Sequence, residues 1–334
     1  MKTQVACVAL AALAAATIGM SALAANEIPT LAEPVPPDAA SPAPDDPFDF
    51  LKLGADGNDR MTVPVSVVDQ GPYPFLIDTG SERTVISKEL AQRLELVAGG
   101  TIKVHSMTEA SEVATAIIPK LQISRNSIHN IRAPALPIAH IGAAGMLGVD
   151  SLKSQRVIFD FAKKRMSIAT GKRAENWGPE TIVVTGKSLY GRLILVDSRL
   201  EGEKVIVVVD TGSEVTVGNN ALRRKLMAKR KLRATFPIEL TSVTGGKQMI
   251  DYTSVRLITL GDVTIRDMPI GFAEVHPFGQ LKLADRSAIL LGMDALRLFE
   301  RVSVDFARKE VRFLMPKTAF RLSAESPPRR VPAS

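Results

Sequence analysis

Apolar and polar positions alternate at Val63, Val65 and Val67, with Pro64 and Ser66 between them, the period of a half-buried strand. Phe75-Leu76-Ile77 and Val205-Ile206-Val207-Val208-Val209 are unbroken runs rich in branched side chains, as expected of strands covered on both faces. The segments VIFDF at 157–161 and VSVDF at 302–306 alternate again. Gly71-Pro72 and Glu201-Gly202 are expected to turn the hairpins. Helical spacing is brief, at Leu90 and Leu94 and at Leu222 and Leu226. Asp150 and Asp294 each precede a short Leu-containing segment and read as helix N-caps rather than catalytic acids. The pattern predicts an all-β protein with short helices.

The chain also repeats itself. FLIDTGSERTVIS (75–87) matches VVVDTGSEVTVGN (207–219), and GMLGVDSLKSQRVIFDFAKKRMSI (145–168) matches ILLGMDALRLFERVSVDFARKEVRF (289–313). The first pair is offset by 132 residues, the second by 144 at Gly148 and Gly292, and both come in the same order. Such a tandem duplication gives two lobes, 59–170 and 181–316, with Thr170 to Glu180 as connector. Trp177 is expected to pack in that connector.

The ends read differently. Lys2 precedes an Ala-rich apolar run from Val5 to Met20, followed by Ala22-Leu23-Ala24, the layout of a secretory signal peptide over residues 1–24, with an uncleaved anchor as the alternative. Residues 25–58 hold seven prolines between Pro29 and Pro47 and are expected to be a disordered tether rather than a propeptide. Residues 317–334 are expected to be a frayed tail.

Composition narrows the chemistry. With 46% hydrophobic and 23% charged residues in 334, the chain is ordinary globular protein, and a net charge of +7 permits an acidic partner without demanding one. The single cysteine, Cys7, falls in the signal segment, so a mature chain has no disulfide, no thiolate zinc site and no thiol nucleophile. Four scattered histidines show no metal-ligand spacing, and no cofactor or metal is expected. The run Arg223 to Arg233 holds seven basic residues in eleven. It reads as a solvated helix face, with weak contact to an acidic membrane surface as the sharper alternative. No aromatic residue interleaves the run, which speaks against nucleic acid.

The two Asp-Thr-Gly turns carry the chemistry. Each ends an apolar strand, is followed by Ser-Glu, and is answered later by Met146-Leu147-Gly148 or Leu290-Leu291-Gly292. Two such turns related by a pseudo-twofold axis bring two carboxylates to one spot. A close pair cannot ionise twice, so it shares one proton and supplies a general acid and a general base together.

In these turns and the paired apolar-apolar-Gly elements the chain resembles the retropepsin-like aspartic proteases, in a single-chain duplicated form of a kind seen in secreted bacterial proteins, over about residues 59–316. The resemblance implies a bilobal all-β fold with a central cleft and an endopeptidase acting on extended polypeptide segments. It makes Asp78 and Asp210 the catalytic dyad. Thr79 and Thr211 match the position whose hydroxyls lock the turns together. Gly80 and Gly212 match the backbone near the catalytic oxygens, and Ser81 and Ser213 the position whose hydroxyl bonds a catalytic carboxylate. Glu82 and Glu214 follow and are expected to pair with nearby arginines rather than reach substrate. Flap positions fall at Thr244, Gly245 and Gly246 within Ser242–Lys247, and at Met107 and Thr108 within Val104–Ala110. The second of these stretches has no glycine, so that flap is expected to be stiffer, shorter or non-covering. A monomer exported to the periplasm is expected. The rival reading is a catalytically silent binding module of the cell envelope on the same fold.

Overall fold

The computed structural model describes residues 49–52, 54–55, 61–124, 126–152, 155–170, 177–178, 181–189 and 192–316. The signal segment, the proline-rich stretch to residue 48 and the tail at 317–334 lie outside the described residues.

Two repeated β-lobes flank a shared sheet. In the first lobe, strand Met61–Val67 pairs antiparallel with Gln70–Ile77, and also with Ala110–Ile123 through Ser66↔Gln122 and Val67↔Leu121. The second contact closes the eight-stranded sheet on itself. The second lobe repeats the closure, with Arg192–Leu200 pairing both Glu203–Val209 and Lys247–Leu260. In each lobe the strand leading into the DTG turn lies parallel to the apolar-apolar-Gly strand, at Phe75↔Gly145 to Ile77↔Leu147 and at Ile206↔Ala288 to Val209↔Leu291. Those interior strands are buried on both faces, so they read as continuous apolar runs instead of alternating ones.

Helix Lys88–Arg93 follows the first DTG turn, and Asn220–Ala228 the second. Helices this short are marginal alone in water. Each is capped, by Ser87 accepting from Leu90 N and by Asn219 accepting from Leu222 N, and each buries its leucines, Leu90 and the pair Leu222 and Leu226.

The doubled VIFDF and VSVDF segments meet each other. Gln155–Asp160 pairs antiparallel with Arg301–Asp305 in the register Arg156↔Asp305, Ile158↔Ser303 and Asp160↔Arg301. Arg301 Nη2 reaches the buried Asp160 Oδ2 at 2.8 Å, and the Arg301 guanidinium lies 5.1 Å from the Trp177 ring centroid. Outer strands Arg165–Thr170, Glu310–Leu314 and the first half of Thr181–Leu189 complete this interlobe sheet.

Two expectations need correction. The first hairpin turns at Val68-Asp69, at φ 47° and 62°, while Gly71-Pro72 lies inside the returning strand. The second turns at Glu201-Gly202 as expected. Asp49–Lys52, placed in the linker from sequence, is an edge strand of the interlobe sheet paired with Arg165–Ile168, and Gly54–Ala55 pairs with Met61–Thr62. The prolines end at Pro47, and beyond it nothing removes the backbone donors a strand needs. The basic run lies largely on the surface, as expected of a solvated face, and most of it is ion-paired there. Arg223 meets Asp251 at 2.6 Å, Arg233 meets Asp267 at 2.9 Å, and Lys225, Lys229 and Lys231 surround Glu203 at 3.6, 2.7 and 3.1 Å. Hydrogen bonds from Lys229 and Lys231 hold the Glu203 carboxyl down at about 2. Five of the seven cations of Arg223–Arg233 thus have acidic partners within the lobe.

Candidate active site

Asp78 and Asp210 stand at the ends of strands Gln70–Ile77 and Glu203–Val209, where Asp78 N donates to Leu147 O and Asp210 N to Leu291 O. Asp210 lies against Gly80 and Asp78 against Gly212, and both carboxyls face one cavity. Asp78 Oδ1 accepts N–H bonds from Gly80 at 2.8 Å and Ser81 at 2.9 Å, and Asp210 Oδ1 accepts from Gly212 at 3.2 Å. Burial, and then the charge of Asp210, pushes the Asp78 carboxyl up to about 7 against the pull of those N–H donors and of Arg192. Burial raises Asp210 as well, with Arg192 opposing it. The pair holds one proton through the range where an ordinary carboxyl has lost it.

The threonines knit the turns together. Thr79 Oγ1 donates to Val209 O at 3.0 Å, and Thr211 Oγ1 donates to Ile77 O at 2.9 Å. Each hydroxyl also accepts the other threonine's N–H at 3.1 Å. Neither side chain has solvent enough to satisfy these groups otherwise, so the four bonds hold the carboxyl strands in one relation. Gly80 and Gly212 face the opposite carboxyl. A methyl on Gly80 would stand 2.5 Å from Asp210 Oδ1, and one on Gly212 would overlap the Asp78 carboxyl.

Ser81 and Ser213 do not do what was expected of them. Ser81 Oγ donates to Arg83 O at 2.8 Å and Ser213 Oγ to Val215 O at 2.7 Å. A hydroxyl has one proton to give, and a carbonyl two residues on takes it. The bond from residue 81 to the carboxylate is made by its backbone N–H.

Asp150 and Asp294 are not N-caps either. They lie inside the first turn of helices Val149–Leu152 and Met293–Leu296 and reach back to a threonine six residues after each catalytic-turn Asp. Asp150 Oδ1 accepts from Thr84 N and Oγ1 at 2.8 and 2.7 Å, and Asp294 Oδ1 from Thr216 N and Oγ1 at 3.0 and 2.6 Å. These ties pin the outer rim of each turn. Sequence reasoning passed over Thr84 and Thr216, although both occupy the same place in the two copies.

Above the dyad the flaps cross between lobes. The first is the hairpin of strands Ala98–His105 and Ala110–Ile123, the second that of Phe236–Thr241 and Lys247–Leu260. Their tips interlock through hydroxyls: Thr108 Oγ1 donates to Ser242 Oγ at 3.1 Å, and Thr244 Oγ1 to Ser106 Oγ at 2.9 Å. The glycine-free flap therefore covers the cleft. It uses Ser106 and Thr108 where the other has Ser242, Thr244, Gly245 and Gly246. Gly246 leaves room for the Thr108 hydroxyl, and Gly245, at φ 87°, sits against the His140 ring. Met107 packs on the second lobe's cluster around Phe278, while Val243 packs on the first lobe's cluster around Met146. His276 N donates to Met107 O at 2.9 Å, and His276 Nε2 faces His105 Nδ1 at 2.5 Å with the rings stacked.

The cleft between the turns and the flaps holds a cavity of about 400 Å³, with Asp78, Asp210, Met107, Val243 and Arg192 among its walls. Arg192 was not anticipated. Its Nε donates to Gly80 O at 2.5 Å, and its Nη1 lies 3.6 Å from Glu82 Oε1. Glu214 pairs with Arg297 at 3.0 Å, so both glutamates of the DTGSE motifs meet an arginine. A signal for Arg192 existed, since the 132-residue spacing of the repeats places it opposite Arg60. Among the described residues no group of three potential metal ligands occurs, and no helix is long and apolar enough to cross a membrane.

Comparison with known proteins adds one finding: the profile of a family described as aspartyl protease matches residues 63–151 and 196–295, one match on each lobe. No curated protein matches the chain.

Proposed function

The chain belongs to the aspartyl protease family, and from that premise we propose that it is an endopeptidase, hydrolysing peptide bonds of extended polypeptide segments with a water activated between Asp78 and Asp210. The observation that carries the reading is the pair of carboxyls facing one cavity, each against the other lobe's DTG glycine and each with raised proton affinity, roofed by two interlocked flaps. The ionised member takes a proton from the water as it attacks the carbonyl carbon, and the protonated member gives its proton to the carbonyl oxygen. Collapse of the tetrahedral intermediate returns a proton to the leaving amine. Preference for extended segments is supported by the flap strands Ala98–His105 and Phe236–Thr241, each the last strand of its sheet and so offering a free edge to a peptide. Both carboxyls come from one chain, which supports action as a monomer, and the run Val5–Met20 supports export to the periplasm.

The direct test is incubation with a denatured protein, with and without pepstatin, reading fragments by mass. Fragmentation blocked by pepstatin is the expected result. An intact substrate that nevertheless binds would leave a binding cleft without turnover.

The raised carboxyl sets the pH dependence. Activity needs one proton on the pair, so kcat/KM should fall as the pH rises through about 7 and the shared proton leaves. Because the Ser81 and Ser213 hydroxyls are spent on Arg83 O and Val215 O, the double Ala variant should keep the alkaline limb where it is. A displaced limb in that variant would mean that the hydroxyls turn to the charged dyad during turnover.

A further inference from the structure

The lobes are repeats, yet the two walls of the cleft differ in charge. Where the first turn reads DTGSERT the second reads DTGSEVT, so Arg83 stands opposite Val215. Counting back from the interlocked tips, with Ser106 matched to Ser242, sets Lys103 against Glu239 and His105 against Thr241. Arg83, Lys103 and His105 all line the cavity. Their counterparts add no positive charge, and Glu239 is held by Lys247 at 2.8 Å.

The charges on the first wall are also uncommitted. Among the described residues neither Arg83 nor Lys103 has an acidic partner, whereas the acids of the cavity, Glu82 and Glu214, each have an arginine. Arg192 adds a third cation to the same wall, because it reaches Gly80 and Glu82 of the first lobe. Its Nη1 is buried and has no hydrogen-bond partner among the described residues. Buried donors without partners are costly and draw acceptors, and a cation is most attractive to an anion where water is excluded. Of these cations Arg83 and Lys103 stay in contact with solvent, and the Arg192 Nη1 is the buried one.

We propose that the cleft selects polypeptide segments with an aspartate or glutamate side chain on the side of the scissile bond that lies against the first lobe, and a neutral side chain on the other. The carboxylate would meet Arg83, Lys103 and the Arg192 guanidinium, whose Nη1 makes no hydrogen bond and lies 3.6 Å from Glu82 Oε1. This rests on the peptide-cleaving reading and names the substrate class for it.

The test uses the full chain and matched fluorogenic peptides that differ only by Glu or Gln, placed in turn at each position flanking the scissile bond. Glu should raise kcat/KM about tenfold over Gln at positions on one side only, the worth of roughly one pKa unit of interaction. The gain should shrink as salt rises. In a variant that imports the second lobe's residues, Arg83→Val with Lys103→Glu, the Glu-to-Gln ratio should drop to about one or below. Equal rates for Glu and Gln on both sides would overturn the proposal, as would a preference that survives the double substitution. If the wild type cuts no peptide, the protease reading fails on its own. Anisotropy of the same labelled peptides with Asp210→Asn protein then decides the charge preference, which stands if Glu binds more tightly than Gln and falls if it does not.

Discussion

Asp78→Asn and Asp210→Asn should each lower kcat/KM by about 10²–10⁴, the usual worth of a positioned acid or base. Asn has the shape of Asp and keeps an oxygen for the N–H bonds that Gly80, Ser81 and Gly212 now give the carboxyls. The fold should therefore persist, with an unchanged circular dichroism spectrum. Because the two acids work as a unit, the double variant should lose little more than either single one. Stability supplies an independent readout. A carboxyl whose pKa is raised from 3.8 to about 7 on folding stabilises the fold fully below the lower value and loses that contribution as the pH rises toward the upper one. Asn carries no such titration, so the melting temperature of Asp78→Asn should fall less between those limits than that of the parent. Either single variant keeping more than about a hundredth of the activity would remove the dyad from the mechanism.

Gly80→Ala and Gly212→Ala should be nearly as damaging for a different reason. Neither glycine has a left-handed backbone, so the constraint is space alone. The added methyl would press on the carboxyl of the opposite lobe, and overpacking of this kind costs about 1–3 kcal/mol. The neighbour that must give way is the reacting group held by the threonine bonds, so the loss falls on geometry. An ångström of displacement at reacting atoms is worth about a hundredfold in rate. Gly279→Ala is the matched comparison, because nothing lies within 4 Å of the methyl it would add. Parallel kcat/KM and melting curves should separate the three, and a Gly212→Ala enzyme with parental kcat/KM would show that the turns yield freely.

Much of this arrangement is legible in the chain because a duplication writes it twice. The DTG turns, their apolar strands and the leucines of both following helices can be read without coordinates. What escapes reading depends on partners distant in sequence or on local competition. The strand Asp49–Lys52 exists through its pairing with Arg165–Ile168, which no window of sequence contains. The acids that pair with five of the seven cations of Arg223–Arg233 are Glu203, Asp251 and Asp267, the last two distant in sequence. The first hairpin turns on Val68 and Asp69, although a β-branched residue at φ 47° is disfavoured, so Gly71-Pro72 looks the better turn. The serine hydroxyls go to carbonyls two residues away, an exchange that motif resemblance does not reveal. The first flap covers the cleft without glycine because its tip is held by hydroxyls and a docked methionine, and such contacts ask nothing unusual of the backbone.

The interlobe sheet has a consequence for the order in which the molecule is built. Strand Gln155–Asp160 leaves its own lobe's barrel and takes Arg301–Asp305 as a neighbour, and the ion pair across that seam joins residues 141 apart. A ribosome or translocation channel delivers the first of these strands long before the second. During that interval the emerging half carries one long edge with unpaired N–H and C=O groups, the kind of surface on which chains of nascent protein adhere to each other. Closure of the seam is therefore a late event, and the carboxyl pair is assembled only when the last sixth of the chain has arrived.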